Sequence, residues 1–165
     1  MAITATLLAG LFFVNAAQAS EPKLISKHND WSAFTFMENG QKVCFMASQP
    51  ESAKGNYTKR GEIFALITHR PGDNSFDVVS FVAGYTYKKN SDVNVTVGNK
   101  KFTLFTQADT AWTSDNATDK ALTNAIKNGN SMVVKGSSTR GTLTTDTYSL
   151  SGSTAAYQAI TNACK

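Results

Sequence analysis

The chain has 165 residues, with 16 Lys and Arg against 12 Asp and Glu and a formal charge of +4. That length suits one domain, and the modest positive charge permits contact with anionic lipid or glycan without demanding it. No basic run exceeds two residues, and none is interleaved with aromatics, which argues against nucleic acid as a partner.

Ile3 to Val14 is a short apolar segment followed by Ala17-Gln18-Ala19, an A-x-A pattern of the kind that signal peptidase cleaves. It is too short to span a bilayer, which takes about 20 apolar residues. No Lys or Arg precedes it. Residues 1–19 are therefore read as a cleaved signal peptide, and the mature chain as periplasmic or secreted, with no transmembrane span. A buried N-terminal helix is the weaker alternative, because Ala16 to Ala19 trails into polar Ser20-Glu21-Pro22-Lys23. Two cysteines remain, Cys44 and Cys164. An even count in an oxidising compartment points to a disulfide; two buried free thiols are the alternative.

Residues 20–30 read as a flexible polar tail and 31–165 as a single β domain. Trp31 to Phe36 is a first strand, rich in aromatics, and Asn39-Gly40 marks a hairpin turn. In the returning strand, Lys42 to Ser48, Cys44 and Met46 share one face and Val43, Phe45 and Ala47 the other, so both faces are expected to be buried. Gln49 to Gly61 is polar and reads as a loop. Ile63 to Thr68 is a central strand, Pro71-Gly72-Asp73-Asn74 a turn, and Phe76 to Tyr87 a long strand in which Gly84 marks a bulge or bend.

Val93, Val95 and Val97 alternate with polar residues until Gly98-Asn99, a two-residue loop suited to a type II′ hairpin. That loop pairs Val97 with Lys100, Val95 with Phe102 and Val93 with Leu104, and a one-residue slip would turn the apolar side chains outward. Past Trp112 the period changes. Ala121, Leu122, Ala125 and Ile126 fall at helical spacing over Thr118 to Asn128, with Gly129 closing the helix. Ser131 to Ser138 and Thr142 to Leu150 form another strand pair, the second arm with a wet face. Ser153 is expected to cap a last helix, whose inward stripe carries Ala156, Tyr157, Ile160, Ala163 and Cys164. About eight strands and two short helices, one of them C-terminal, predict a mainly β, antiparallel fold. An immunoglobulin-like β-sandwich comes first and a partly open barrel second.

The chemistry-bearing residues are sparse. His28 lies in the expected tail, and His69 ends a strand beside Arg70, where a surface or hydrogen-bonded role outweighs that of a general base. There is no G-x-S-x-G, C-x-x-C or H-x-x-x-H, so neither a nucleophile nor a metal centre is indicated, and no catalytic residue, metal or cofactor is expected. Asp109, Asp115 and Asp119 fit turn formation and helix capping better than cation binding. The N-x-T triplets at Asn56, Asn94 and Asn116 read as chance, since Asn94 sits inside a strand. What remains is a candidate binding surface. Tyr57, Tyr85, Tyr87 and Trp112 could form an aromatic patch for a glycan or protein, and the basic turn from Lys135 to Arg140 could hold an anion.

Several motifs occur in order: KVCFMASQP (Lys42 to Pro50), Arg60-Gly61, VAGY (Val82 to Tyr85), VGNKKFTLFTQADTAW (Val97 to Trp112), MVVKGSSTRGT (Met132 to Thr142) and DTYSLSG (Asp146 to Gly152). The series resembles the invasion-associated locus B family of exported bacterial proteins over nearly the whole mature chain. The positions of Cys44 and Cys164 are similar to those of the family's paired cysteines. The resemblance implies an envelope or secreted protein of Gram-negative type with a small β-sandwich domain. It also implies an association with host-cell invasion and virulence, although the family occurs too in bacteria without such a host. Members often carry another cysteine soon after the first Trp; Ser32 to Met37 has none, which removes any second bridge. The family carries no catalytic motif to transfer. The sequence thus predicts a non-enzymatic binder of a protein or cell-envelope component, peripheral membrane or surface association included, with a periplasmic small-ligand or glycan-binding module as the alternative.

Overall fold

The structure is a computed structural model that describes residues 20–165; the expected signal peptide, 1–19, lies outside the described residues. Strands β1 (Lys23–His28) and β2 (Trp31–Glu38) lead through Asn39-Gly40 into β3 (Gln41–Ser48). Asn39 and Gly40 take φ of 51° and 76°, the type I′ turn that Asn-Gly favours. Next come β4 (Ser52–Gly55), β5 (Phe64–Arg70), a 3-10 turn at Pro71–Asp73 and β6 (Ser75–Val82). The chain continues through β7 (Val93–Val97), β8 (Lys100–Gln107), β9 (Thr110–Trp112) and helix α1 (Asn116–Asn128), then β10 (Ser131–Ser137), β11 (Leu143–Ser149) and helix α2 (Ser153–Ala163).

The β7–β8 hairpin has the predicted register, Val97 to Lys100, Val95 to Phe102 and Val93 to Leu104. Val93, Val95, Val97 and Leu104 are buried. This hairpin also organises the whole sheet. Lys100 to Leu104 of β8 pair with β7, whereas Phe105 to Gln107 pair with β9. One strand therefore joins a first half, β1-β2-β3-β5-β6-β9, to a second, β7-β10-β11-β4.

The halves enclose one core. Phe81 of β6 meets Tyr148 of β11 edge-on at 6.3 Å, and the Trp31 indole N–H donates to the Ser149 carbonyl at 3.0 Å. The mainly β, antiparallel fold with two helices is as expected. Its layers are not separate sheets, as in an immunoglobulin-like sandwich, but one open eleven-stranded sheet with β1 and β4 at its edges.

Three strands escaped the sequence reading. The segment expected to be a flexible tail forms β1, which pairs with β2 from Lys23 opposite Thr35 to His28 opposite Trp31. The loop 49–61 contains β4, and the turn before Trp112 contains β9. β1 carries Lys23 and Lys27 and β4 has four residues, the charged and short forms that edge strands take. The long strand expected from Phe76 to Tyr87 ends at Val82 instead.

Cys44 and Cys164, 120 positions apart in sequence, are disulfide-bonded, with Cα atoms 6.0 Å apart. The bond pins the end of α2 to β3. Ala156, Ile160 and Cys164 of that helix face the core as predicted. Its N-cap, however, is Gly152 rather than Ser153. The Ser153 hydroxyl is buried and donates to the Ile126 carbonyl at the end of α1, so it joins the two helices instead of capping one.

Candidate functional site

The candidate surface resolves into one cleft and several residues that lie elsewhere. Its foundation is Arg60, which the chain positions through a close backbone contact. Gly61 N–H donates to the Gly84 carbonyl at 2.9 Å. Gly84 has φ +70°, and a Cβ there would lie 2.5 Å from the Gly61 oxygen. Glycine is therefore required for the strand end and the Arg60 loop to touch. That contact turns Arg60 inward, where its Nε–H donates to the Ala83 carbonyl at 2.6 Å. Its two terminal nitrogens donate to the carboxylate oxygens of Asp146 on β11 at 2.6 and 2.7 Å.

The Arg60 and Asp146 side chains are 4 % and 5 % exposed. Burial works against the guanidinium charge, but the hydrogen bonds and negative charge of Asp146 outweigh it and hold the Arg60 pKa above its ordinary value. The guanidinium carbon lies 4.9 Å from the Tyr85 ring centre and 5.6 Å from that of Tyr57, within cation–π range of both. Tyr57 donates its hydroxyl to the Ala53 carbonyl at 2.8 Å, and the Tyr85 hydroxyl shares a 2.7 Å hydrogen bond with that of Thr144. Burial pushes the Tyr85 phenol up, against the opposing effect of the Thr144 bond. Both rings are therefore fixed at both ends.

Above this base is a cleft of about 220 Å³, with Tyr57 and Tyr85 in its lining, the Ser138 and Thr142 hydroxyls nearby, and Lys59 and Arg140 as its charged groups besides Arg60. Neither Lys59 nor Arg140 forms a salt bridge among the described residues. The volume lies below the ~300–1,000 Å³ of drug-sized sites and suits one sugar ring or one small anionic group. Rigid aromatic faces, hydroxyls and free cations can stack on a sugar and pair with a carboxylate or phosphate.

Of the predicted residues, Tyr57, Tyr85 and Arg140 meet here. Tyr87 lies underneath, buried, with its ring edge-on to Tyr85 at 5.2 Å. Lys135 is outside the cleft, on a neighbouring groove with Asp92, Asn94 and Leu143. Trp112 belongs to the outer face of the first half-sheet, opposite Ser80 and Phe105. The sequence reading missed the Arg60–Asp146 pair, although a signal existed. In the strand Thr142 to Leu150, Asp146 alternates onto the same face as Thr144 and Tyr148. A carboxylate on a core-facing rung needs a buried cation.

The remaining titratable residues take structural positions. His69 is 2 % exposed. Its Nδ1 accepts from the Asp77 N–H at 3.1 Å, and its Nε2 lies 3.3 Å from the Thr161 hydroxyl. Burial lowers its pKa, against the nearby charge of Asp77. Asp115 caps α1, accepting from Thr118 N–H at 2.8 Å, and this hydrogen bonding lowers its carboxyl pKa. Asp119 is buried and accepts from Val79 N–H and the Thr113 hydroxyl. It ties α1 to β6, rather than forming a turn or cap at the surface. Asp109 sits in the β8–β9 turn, with its side chain accepting from Thr110. His28 is half-buried on β1, with Nε2 2.9 Å from the Ser26 hydroxyl. No group of three or more His, Cys, Asp or Glu among the described residues could hold a metal ion. No described helix is long and apolar enough to cross a membrane.

A disulfide-pinned, single-sheet β domain with a fixed aromatic and basic cleft defines a class of small, rigid β domains. The family model for the invasion associated locus B (IalB) protein matches residues 31–161. The chain belongs to that family of exported proteins. No curated protein and no solved structure matches it.

Proposed function

We propose that this chain is an exported, non-enzymatic binding domain of the bacterial envelope, and that its cleft engages a sugar or small anionic group displayed by an envelope or host-surface component. The observation that carries the reading is the convergence of Tyr57, Tyr85 and Arg140 on one cleft, above a buried ion pair that holds it rigid. A rigid site loses little conformational entropy when a ligand docks. Export is supported by the apolar segment and A-x-A pattern before Ser20, by the disulfide and by the family. The family description also supports a role in host-cell invasion.

The test is a thermal-shift panel of neutral sugars, uronic and sialic acids, and phosphate-bearing envelope fragments, run on the oxidised protein and on the Tyr57→Ala and Arg140→Ala variants. A ligand at 100-fold above its Kd stabilises by about 2.7 kcal/mol. We expect such a shift with at least one class and its loss in both variants. A flat response across the panel would overturn the reading. For the invasion role, a deletion strain should enter host cells less well, and the Arg140→Ala allele should fail to restore entry.

A further inference from the structure

The two outer faces of the sheet differ in chemistry. On the second half, the outward residues are mostly polar, Asn94, Thr96, Lys135, Thr145 and Thr147 among them, with Val133 and Leu143 as apolar exceptions. On the first half, strand pairing places Leu24, Phe34, Phe45, Thr68 and Val78 in one outward row. The next row holds Ser32, Ala47, Leu66, Ser80, Trp112 and Phe105. Phe36 and Val43 extend the face on one side, Phe64 and Val82 on the other. Phe34 and Phe45 stack at 5.0 Å. Both helices pack on the opposite, core-facing side, where Cys44, Ile67 and Val79 lie. The face is open at its margins, where Leu24 is 59 % exposed and Phe105 48 %, and partly buried in its middle, with Ser80 at 5 %.

We propose that this face pairs with the same face of a second copy of the chain, sheet against sheet. From β2 to β8 no charged side chain interrupts the two rows, and Lys27, opposite Ser32 on the edge strand, is the charge at their end, so the complementary surface is another apolar sheet face, and the molecule itself carries one. The charges around it are of both signs: Lys27 stands beside Ser32 at the β1 edge, and Glu38, Arg70 and Glu62 stand along the other margins. Arg70 bridges Glu38 at 3.1 Å at one side, and Gln49 donates to Glu62 at 3.0 Å at the other. A rim of mixed sign can pair with its own copy under a two-fold axis, and with Lys27 set against Glu62 it gives an anionic bilayer little net charge to attract. Six strands about 4.8 Å apart, with three outward rungs about 6.8 Å apart, make a platform on the order of 25 by 20 Å. That gives about 500 Å² per copy and about 1,000 Å² in all, enough for a specific interface at the weak end of the range. Face-to-face sheets pack in this way, about 10 Å apart.

Thr68 provides a probe that spares the core. It lies in the middle of the face between Phe45 and Val78, partly exposed and already polar, so Thr68→Glu adds a charge without opening a cavity. Phe105→Glu does the same at the exposed end, and Thr145→Glu, on β11 of the second half, is the control. Sedimentation velocity of the purified, oxidised protein from about 1 to 200 µM, a span typical of weak association, should show the mass doubling. Thr68→Glu and Phe105→Glu should each weaken that transition at least tenfold, with circular dichroism unchanged, and Thr145→Glu should leave it alone. A monomer throughout the range would overturn the proposal. So would a dimer that survives both charged variants in folded form. Binding of the monomer to phosphatidylcholine vesicles, lost in Thr68→Glu, would assign the face to lipid instead.

Discussion

Asp146→Ala should be among the most damaging substitutions available in the sheet. Asp146 takes both terminal nitrogens of Arg60, at 2.6 and 2.7 Å, and the two side chains are 4 % and 5 % exposed. A solvent-exposed ion pair contributes about 0–1 kcal/mol. Removing one member of a buried pair costs about 3–5 kcal/mol, because the other charge stays in a low-dielectric site without its counterion. Unfolding entropy near 2.1 cal/mol/K per residue gives roughly 0.3 kcal/mol/K for a domain of this size, so the melting temperature should fall by about 10–17 °C. Calorimetry of the oxidised wild type and variant measures this directly. A double replacement, Arg60→Met with Asp146→Leu, removes both charges and should recover most of the loss, apart from the hydrogen bond to Ala83. The reasoning is refuted if Asp146→Ala costs less than about 1 kcal/mol, or if the double variant loses the sum of the two single effects.

Three further outcomes follow from the same structure. Replacing Cys44 and Cys164 by Ala opens a loop closed across 120 positions and should lower stability by up to about 5 kcal/mol by the chain-entropy estimate; equal denaturation midpoints for variant and wild type would contradict this. The native state holds His69 neutral, its Nδ1 accepting from Asp77 N–H with Tyr157 and Phe76 against the ring. Its folded pKa lies below the unfolded value near 6.5, so the unfolded chain binds more protons as pH falls below 6.5 and stability drops with it. The slope of melting temperature against pH between about 7.5 and 5 should flatten in His69→Gln, and an unchanged slope would remove His69 from the account. Gly84→Ala combines positive φ with a Cβ 2.5 Å from the Gly61 oxygen, whereas Gly40→Ala has positive φ alone and open space. Gly84→Ala should therefore cost more than the ~1–3 kcal/mol of backbone strain, and equal melting temperatures for the two variants would show that the close approach is unimportant.

The parts of the fold legible in the sequence are those encoded by neighbours along the chain. The Val93–Val97 alternation and Gly98-Asn99 carry register within a few residues, and the β7–β8 pairing follows them residue by residue. Ala156 and Ile160 similarly show the inward side of α2. Edge strands are harder because they suppress the apolar alternation that identifies a strand. Lys23 and Lys27 gave β1 the composition of a tail. The cleft was half legible. Its aromatics and its basic residues stand out by type, but Lys135 lies within β10 and Arg140 in the turn beyond it, and they end on different grooves. Arg60 and Asp146 lie 86 positions apart, and no local pattern links them. Only the buried side of β11, once Thr144 and Tyr148 are assigned to it, requires that such a cation exist.

The apolar face and the cleft also bear on each other. Their linings share no residue: the cleft is built from 56–60, Tyr85 and 138–144, and the face from the outward rungs of β2, β3, β5, β6 and β9 with the end of β8. Two copies joined through the face would therefore keep both clefts unobstructed and present two ligand sites from one rigid body. A cleft of about 220 Å³ touches too little of a sugar or anion for tight monovalent binding. On a surface that displays many copies of the ligand, a second site converts rebinding into an intramolecular event and raises avidity by about 10²–10⁴-fold. The Thr68→Glu variant separates the two contributions. It should bind soluble monovalent ligand as the wild type does, yet be retained far less on a multivalent ligand surface. Equal retention on that surface, with the variant confirmed as monomeric, would show that pairing adds nothing to recognition.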